Sequence, residues 1–468
     1  MVGTSRETLV ELLRKYGQEH VLQFWDELSE SQRDALTQQI ASLDFEQLDK
    51  LHRGPGSQED WGALADSATP PPAFRLDGSK NRFTADAAHA AADEALKSGQ
   101  VGAILVAGGQ GTRLGFPHPK GMFPVGPVTE RTLFQVFADQ LLALGRRYGV
   151  RVPLFLMTSP ATHDETVAYF QEHDNLGLAA EDLHIFCQGT MPALDDQGRL
   201  LLAERDRIFL SPDGHGGMLA ALAKSGGLAA AKGRGISQFF YFQVDNPLVT
   251  IGDRTLLGYH LLANSEMSTL VVAKTDPTER VGNVVSVDGR LHVIEYSDLP
   301  LSSAERRNAD GSLALWAGSI AVHVLSAEFL QRAAGSAESL PFHLARKQVP
   351  YVDASGNQVQ PEQPNATKFE RFIFDLMPEA RNAIVVEGDP TEVFAPVKNA
   401  SGAEKDTPEL ARQAIVDRAK RWLAAAGVGV ADGVRVELSP FTALDVQSLK
   451  SRSLPKQIVT DLYVECES

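Results

Sequence analysis

Cysteine is nearly absent: the 468 residues include two, Cys187 and Cys466. That is too few for a disulfide framework or a thiolate metal site, and it fits a reducing compartment. Long apolar runs are missing too. No stretch reaches the length of a membrane span, and the N-terminus, Met1-Val2-Gly3-Thr4-Ser5-Arg6-Glu7, lacks the apolar centre of a signal peptide. A cytoplasmic location without a membrane partner is expected. Positive charge is in deficit, with 44 Lys and Arg against 60 Asp and Glu and a formal net charge of −16. This balance argues against general affinity for nucleic acid. Any phosphate ligand must therefore be met by a few cations gathered in one place.

The remaining composition, 43% hydrophobic and 22% charged, is that of a globular protein, and the length predicts two or three domains. Residues 4–52 read as helices. Thr4 or Ser5 is a candidate cap for the first, and a second starts near Ser29 or Ser31. Residues 53–75, with Gly54-Pro55-Gly56 and Pro70-Pro71-Pro72, read as a linker or surface strap. From Ala85 the pattern alternates. A helix at Ala85–Lys97 is followed by apolar strands near 103–106, 153–158, 239–244 and 269–273, separated by helices at 131–148 and from Asp164. Continuous apolar strands alternating with helices predict an α/β fold, a Rossmann-like, mostly parallel sheet covered on both faces. A hairpin is expected at Val284–Tyr296, turning at Asp288-Gly289. After Val386 a helix near 408–426 and short β-like runs predict a small α+β C-terminal domain. The division read from the sequence is 1–75, 76–386 and 387–468.

The strongest local signal runs from Leu105 through Ala107-Gly108-Gly109-Gln110-Gly111-Thr112-Arg113-Leu114-Gly115 to Pro119-Lys120-Gly121. The loop follows a strand, and ligands of open α/β sheets bind at the carboxyl ends of strands. Glycines let backbone N–H groups approach a phosphate, and Arg113 and Lys120 supply cations. A dinucleotide fingerprint is disfavoured, because Leu114 stands at its third glycine and Pro117 and Pro119 oppose an immediate helix. A P-loop is disfavoured because Gly121 follows Lys120 where Ser or Thr is needed. A plain structural turn remains the bland alternative.

This loop resembles the signature of the eukaryotic-type UDP-sugar pyrophosphorylases, most closely the UDP-N-acetylhexosamine pyrophosphorylases. Further segments resemble that family in order: Phe186-Cys187-Gln188-Gly189-Thr190, Ser211-Pro212-Asp213-Gly214-His215-Gly216-Gly217, Val244-Asp245-Asn246-Pro247, Ile294-Glu295-Tyr296-Ser297, Phe369-Glu370-Arg371-Phe372-Ile373-Phe374-Asp375 and Pro396-Val397-Lys398-Asn399. The resemblance implies a helical N-terminal region, a central Rossmann-like sheet and a small β-rich C-terminal domain. It implies uridylyl transfer from UTP to a sugar 1-phosphate with release of pyrophosphate and UDP-sugar, by a monomer or homo-oligomer. N-acetylglucosamine 1-phosphate is favoured as the acceptor.

The resemblance also implies the site. Ala107, Gly108, Gly109, Gly111 and Thr112 would cradle the nucleotide, Arg113 hold pyrophosphate, and Lys120 stabilise charge at the α-phosphate. Gln188 would read the uracil edge with Gly214 nearby, Asp245 carry Mg²⁺, and Lys398 reach the sugar phosphate. His215, Gly282, Glu295, Ser319, Phe372 and Phe374 fall on the substrate side. Taken singly, several have plainer readings. Asp245 could cap a turn, Glu295 be a solvated hairpin residue, Lys398 a surface lysine, Gln188 a core amide, and Phe372 and Phe374 alternating strand residues. Cys187 reads as a small buried hydrophobe. His215 could be a ligand contact or simply a loop histidine. Two positions depart from the N-acetylhexosamine pattern, His215 and Ser319, each standing where those enzymes carry Asn. Both bear on the group at C2 of the sugar, so a glucose-type or broad-specificity enzyme is the nearest alternative. A UDP-sugar binder without turnover would need none of these cations, and a nicotinamide oxidoreductase would need the missing fingerprint glycine.

Overall fold

The apolar runs assemble into a ten-stranded sheet. The computed structural model describes residues 6–53, 61–336 and 340–465. The candidate caps Thr4 and Ser5, the Gly54-Pro55-Gly56 segment and Cys466 lie outside the described residues. Numbered in chain order, the sheet strands are β1 Ala73–Phe74, β2 Val101–Val106, β3 Leu154–Thr158, β4 Leu183–Cys187, β5 Gln238–Gln243, β6 Met267–Ala273, β7 Gly282–Val287, β8 Arg290–Ile294, β9 Ala317–Ser326 and β10 Ile384–Glu387. Their spatial order is β1-β10-β6-β9-β5-β2-β3-β4, with the β7–β8 hairpin attached to β9. Every pairing along that path is parallel except the two made by β9. An antiparallel strand, which the apolar pattern of the sequence does not predict, thus lies inside a mostly parallel α/β sheet.

Five of the six β2 residues and all of β3 are buried, as expected when helices cover both faces. One core joins Leu105, Phe134, Phe137, Phe240 and Phe242. Helix Leu133–Tyr148 begins on a Thr132 cap and ends on Gly149 in the left-handed region, φ 69°. Asp288 and Gly289, with φ of 50° and 77°, form the tight turn of the β7–β8 hairpin.

The chain divides into two compact units that are not contiguous in sequence. The first comprises the described residues within Met1–Asp60, Gly189–Met218 and Glu338–Asp375. Its core joins Leu9, Leu13, Leu36 and Ile40 of the N-terminal helices to Leu194, Leu202, Ile208 and Phe369. Ser29 caps helix Glu30–Ser42 in a reciprocal box with Gln32. The second unit, Trp61–Gln188, Leu219–Ala337 and Leu376–Ser468, holds the sheet. This differs from the three successive segments read from the sequence. Residues 61–75 also depart from a simple strap. They contain helix Trp61–Ser67 and strand β1, which pairs with β10. The C-terminal segment has its own small apolar cluster around Leu423, Val436 and Leu449. It belongs to the second unit, where the Glu437 carboxylate accepts the Val128 and Thr129 N–H groups, both at 2.9 Å.

Candidate active site

In the second unit, β2 delivers the glycine loop. The Ala107 N–H donates to the Met157 carbonyl at 2.8 Å, fixing the loop's start on the sheet. The loop then folds on itself: Gly111 N–H donates to His118 O at 2.8 Å and Lys120 N–H to Gly109 O at 3.0 Å. Gly108 faces Gln188, and a Cβ there would lie 2.7 Å from the Gln188 Oε1. Gln188, at the end of β4, is buried and donates its N–H to Thr158 O at 2.9 Å. Cys187 beside it is partly exposed rather than buried.

The cations converge on the same edge. The Lys120 Nζ donates to Val397 O at 3.2 Å, and the Val397 N–H donates to Asp245 O at 2.8 Å. Burial holds the Lys120 ammonium below its ordinary pKa; the Asp245 charge opposes this, while Lys398 and Arg113 add to it. Arg113, Lys120, Lys398 and Asp245 therefore share one electrostatic neighbourhood beside the glycine loop. Arg113 itself is exposed. Asn246, not Asp245, caps the turn after β5. Its Oδ1 accepts the N–H groups of Leu248 at 3.3 Å and Ala395 at 3.1 Å. Lys398 is half-buried, and its N–H donates to Asp406 O at 2.8 Å. Asp406 belongs to none of the sequence motifs. Its φ is 58°. Burial raises its carboxyl pKa, which Lys398 lowers and Asp245 raises further. Only its place after a Lys-Asn segment could have marked it.

A third group of candidates sits where the β7–β8 hairpin joins β9. Gly282 pairs with Ser319. A Cβ on Gly282 would lie 3.2 Å from Glu295 Oε1 and 3.8 Å from Ser319 Cβ. Ser319 is placed by a bulge in β9, where Ala321 adopts φ 55°. Glu295 is half-buried rather than fully solvated.

The first unit carries the other candidates. Gly214, with φ 83°, has no room for a side chain, because a Cβ would lie 2.4 Å from Arg371 O. Two backbone bonds, both 2.8 Å, lace this loop to the later motif: Arg371 N–H to Asp213 O and Gly216 N–H to Arg371 O. The His215 ring stacks on Phe372 at 5.2 Å and lies 5.6 Å from Phe374. Its Nδ1 accepts the Ile373 N–H at 3.3 Å, which puts the proton of a neutral ring on Nε2. Burial, with His343 adding to it, lowers its pKa to about 4, so the ring is neutral at pH 7. Phe372 and Phe374 are not strand residues, correcting the alternation read from the sequence. The strand stops at Glu370 and a 3-10 turn begins at Ile373. Their rings are held by His215 and His343 instead.

This loop, these cations and this order of motifs have known counterparts. Residues 75–425 match the model of the UTP–glucose-1-phosphate uridylyltransferase family. The chain belongs to that family. It is 36% identical over 438 residues to the UDP-N-acetylhexosamine pyrophosphorylase-like protein 1 of Homo sapiens, covering 90% of this chain and 86% of that one. It is 37% identical over 354 residues to the UDP-N-acetylglucosamine pyrophosphorylase of Saccharomyces cerevisiae, covering 74% of each. The crystal structure of the uridine diphosphate N-acetylglucosamine pyrophosphorylase from Trypanosoma brucei in complex with inhibitor aligns with a TM-score of 0.82 at 26% identity, over 99% of both chains. The resemblance drawn from the motifs is thereby borne out, and with it the α/β fold. Among the described residues no helix is long and apolar enough to cross a membrane.

Proposed function

We propose that this family member is a uridylyltransferase that converts UTP and N-acetylglucosamine 1-phosphate into UDP-N-acetylglucosamine and pyrophosphate. The observation that carries the reading is the clustering of Arg113, Lys120 and Lys398 with Asp245 beside the glycine loop in an otherwise acidic protein. Two polyanions must meet for this reaction, and the protein's task is mainly positioning and charge stabilisation. A sugar-phosphate oxygen attacks the α-phosphorus of UTP, forming one P–O bond as the bond to the departing pyrophosphate breaks. Loop N–H groups of Gly108 and Gly109 would hold the triphosphate, while the Gly111 N–H, already donated to His118 O, shapes the loop instead of cradling the nucleotide. Lys120 would stabilise charge on the α-phosphate, Arg113 the pyrophosphate, and Lys398 the incoming sugar phosphate. Gln188 would read the uracil edge.

The donor set suits a magnesium ion. Asp245 offers one carboxylate with Asp406 near it, and such an ion takes its remaining oxygens from phosphates and water. Held there, it would neutralise phosphate charge as a Lewis acid. Glu295, Gly282 and Ser319 would receive the sugar. His215, Phe372 and Phe374 are the substrate-contact candidates of the first unit. The names of the relatives favour N-acetylglucosamine, although His215 and Ser319 replace Asn. The low cysteine content supports a cytoplasmic setting. A panel of sugar 1-phosphates with Mg²⁺ and each nucleoside triphosphate, read by released pyrophosphate, tests this. Release with UTP and N-acetylglucosamine 1-phosphate is expected. Uridine-nucleotide binding without product would point instead to a sensor, and a faster reaction with glucose 1-phosphate would reassign the sugar.

A further inference from the structure

A buried lysine in the second unit is spent on a neutral amide. Lys274 directly follows β6, is 6% exposed, and donates its N–H to Trp316 O at 2.8 Å. Its ammonium donates to Asn283 Oδ1. Its charged neighbours are Glu279 and Asp276, on the loop that follows. Glu279 is already occupied by the Thr275 N–H at 2.7 Å and the Asp276 N–H at 2.9 Å. Burial outweighs both carboxylates and holds the ammonium below its ordinary pKa. Sequestering a charge against a neutral partner is costly, so the arrangement needs a return elsewhere.

The amide on the other side shows where that return lies. Asn283 is 2% exposed, and its Nδ2 donates to the carbonyls of Val281 and Ile294, both at 3.3 Å. Val281 immediately precedes Gly282, and Ile294 immediately precedes Glu295. Asn283 itself pairs with Gly318, and Gly282 with Ser319. Gly318 leaves the space the lysine uses: a Cβ there would lie 3.2 Å from Lys274 Cγ and 2.8 Å from Val281 Cγ2. The chain from ammonium to amide to two carbonyls thus ends beside Gly282 and Glu295, and Gly282 in turn pairs with Ser319. The side chains of Gly282 and Asn283 belong to opposite faces of the strand. The strut therefore acts from behind the sugar-contact face.

We propose that Lys274 and Asn283 are positioning residues for the sugar 1-phosphate, a buried strut that sets the spacing of Gly282, Glu295 and Ser319. The inference rests on the uridylyltransferase reading and adds the device that would hold its acceptor subsite in shape. The full-length enzyme is assayed as wild type, Lys274→Met, Lys274→Gln, Asn283→Val and the Lys274→Met/Asn283→Val double variant. Separate KM values for UTP and sugar 1-phosphate, kcat and melting temperature are measured. Lys274→Met leaves the Asn283 carbonyl buried without its donor, so sugar 1-phosphate KM should rise roughly tenfold while UTP KM stays within about twofold. Lys274→Gln keeps a neutral donor and should recover most of the loss. Asn283→Val breaks both carbonyl ties and strands the buried ammonium, so it should raise sugar 1-phosphate KM at least as far as Lys274→Met, and the double variant should be no worse than the worse single, because both act through one strut.

Equal losses in the Met and Gln variants, with kcat reduced, would mean the ammonium acts on substrate by its charge and would overturn the proposal. A lower melting temperature with unchanged KM values would reduce the strut to packing and overturn it as well. If Lys274→Met does not fold, Lys274→Gln and Asn283→Val decide. A wild type without turnover on any sugar 1-phosphate sinks the functional reading and this inference together. An active wild type with unmoved variants sinks this inference alone.

Discussion

Two neighbouring glycines allow folding and nucleotide binding to be separated. A methyl added at Gly109 meets no protein atom within 4 Å, and its backbone is not among the glycines with positive φ. Gly109→Ala should therefore cost no packing, and by restricting the unfolded chain it should raise stability by about 0.4–1 kcal/mol. The open space is where a polyphosphate would lie on the loop N–H groups. A methyl there would displace it by about 1 Å, enough to cost roughly a hundredfold in rate. The same methyl at Gly108 meets Gln188 Oε1 at 2.7 Å, so the amide must retreat by about 0.7 Å to reach ordinary contact. Such overpacking costs about 1–3 kcal/mol. It also moves the group assigned to the uracil edge, so UTP KM should rise about tenfold through one lost hydrogen bond. Gly109→Ala should thus be stable and slow, and Gly108→Ala less stable and weak for UTP. Pyrophosphate release and thermal unfolding on both variants distinguish them. Wild-type turnover from a folded Gly109→Ala would refute the phosphate-cradle role of the loop.

Lys120→Ala and Lys398→Ala should each lower turnover by about a hundredfold or more, as expected when a group supplies a few kcal/mol to the transition state. Steady-state rates near wild type in either would remove that lysine from the mechanism. Gln188→Ala should weaken UTP more than sugar 1-phosphate and narrow the preference for UTP over other nucleoside triphosphates; the reverse order of effects would detach Gln188 from the base. His215 makes stability pH-dependent. Its pKa of about 4 lies below the ordinary 6.5, so the unfolded chain binds the proton first. The neutral ring's contribution is intact above pH 6.5 and is lost as pH falls towards 4, to a total of roughly 3 kcal/mol. Urea midpoints of wild type and His215→Asn between pH 7 and 4 should therefore converge or cross; parallel curves would contradict the buried, neutral ring.

The Ser29 cap, the apolar strands, the Asp288-Gly289 turn and the glycine loop were legible, because each is encoded by a few consecutive residues. The antiparallel strand β9 was not. Its Ala317-Gly318-Ser319 start has no strand pattern of its own, and only the ladders to β5 and β6 reveal a strand. Phe372 and Phe374 misled for the opposite reason. Alternation is a strand signal, but packing against His215 overrides it. Lys274 carries no motif at all. A lysine after an apolar run looks solvated until the hairpin closes over it.

The sequence by itself determined the chemistry that could be brought to bear: glycines that permit close approach, two cations beside them, and scattered carboxylates and amides in a chain poor in positive charge. Those are local properties of residue type and spacing. Tertiary structure alone decided which of them meet. Lys120 reaches the carbonyl of Val397, 277 residues later, only because β5 lies beside β2 and the chain returns to its carboxyl edge. Likewise Asn283 holds Val281 and Ile294 together only in the register of the β7–β8 hairpin. Long-range contacts of this kind follow from sheet order and register, which no short stretch of sequence specifies.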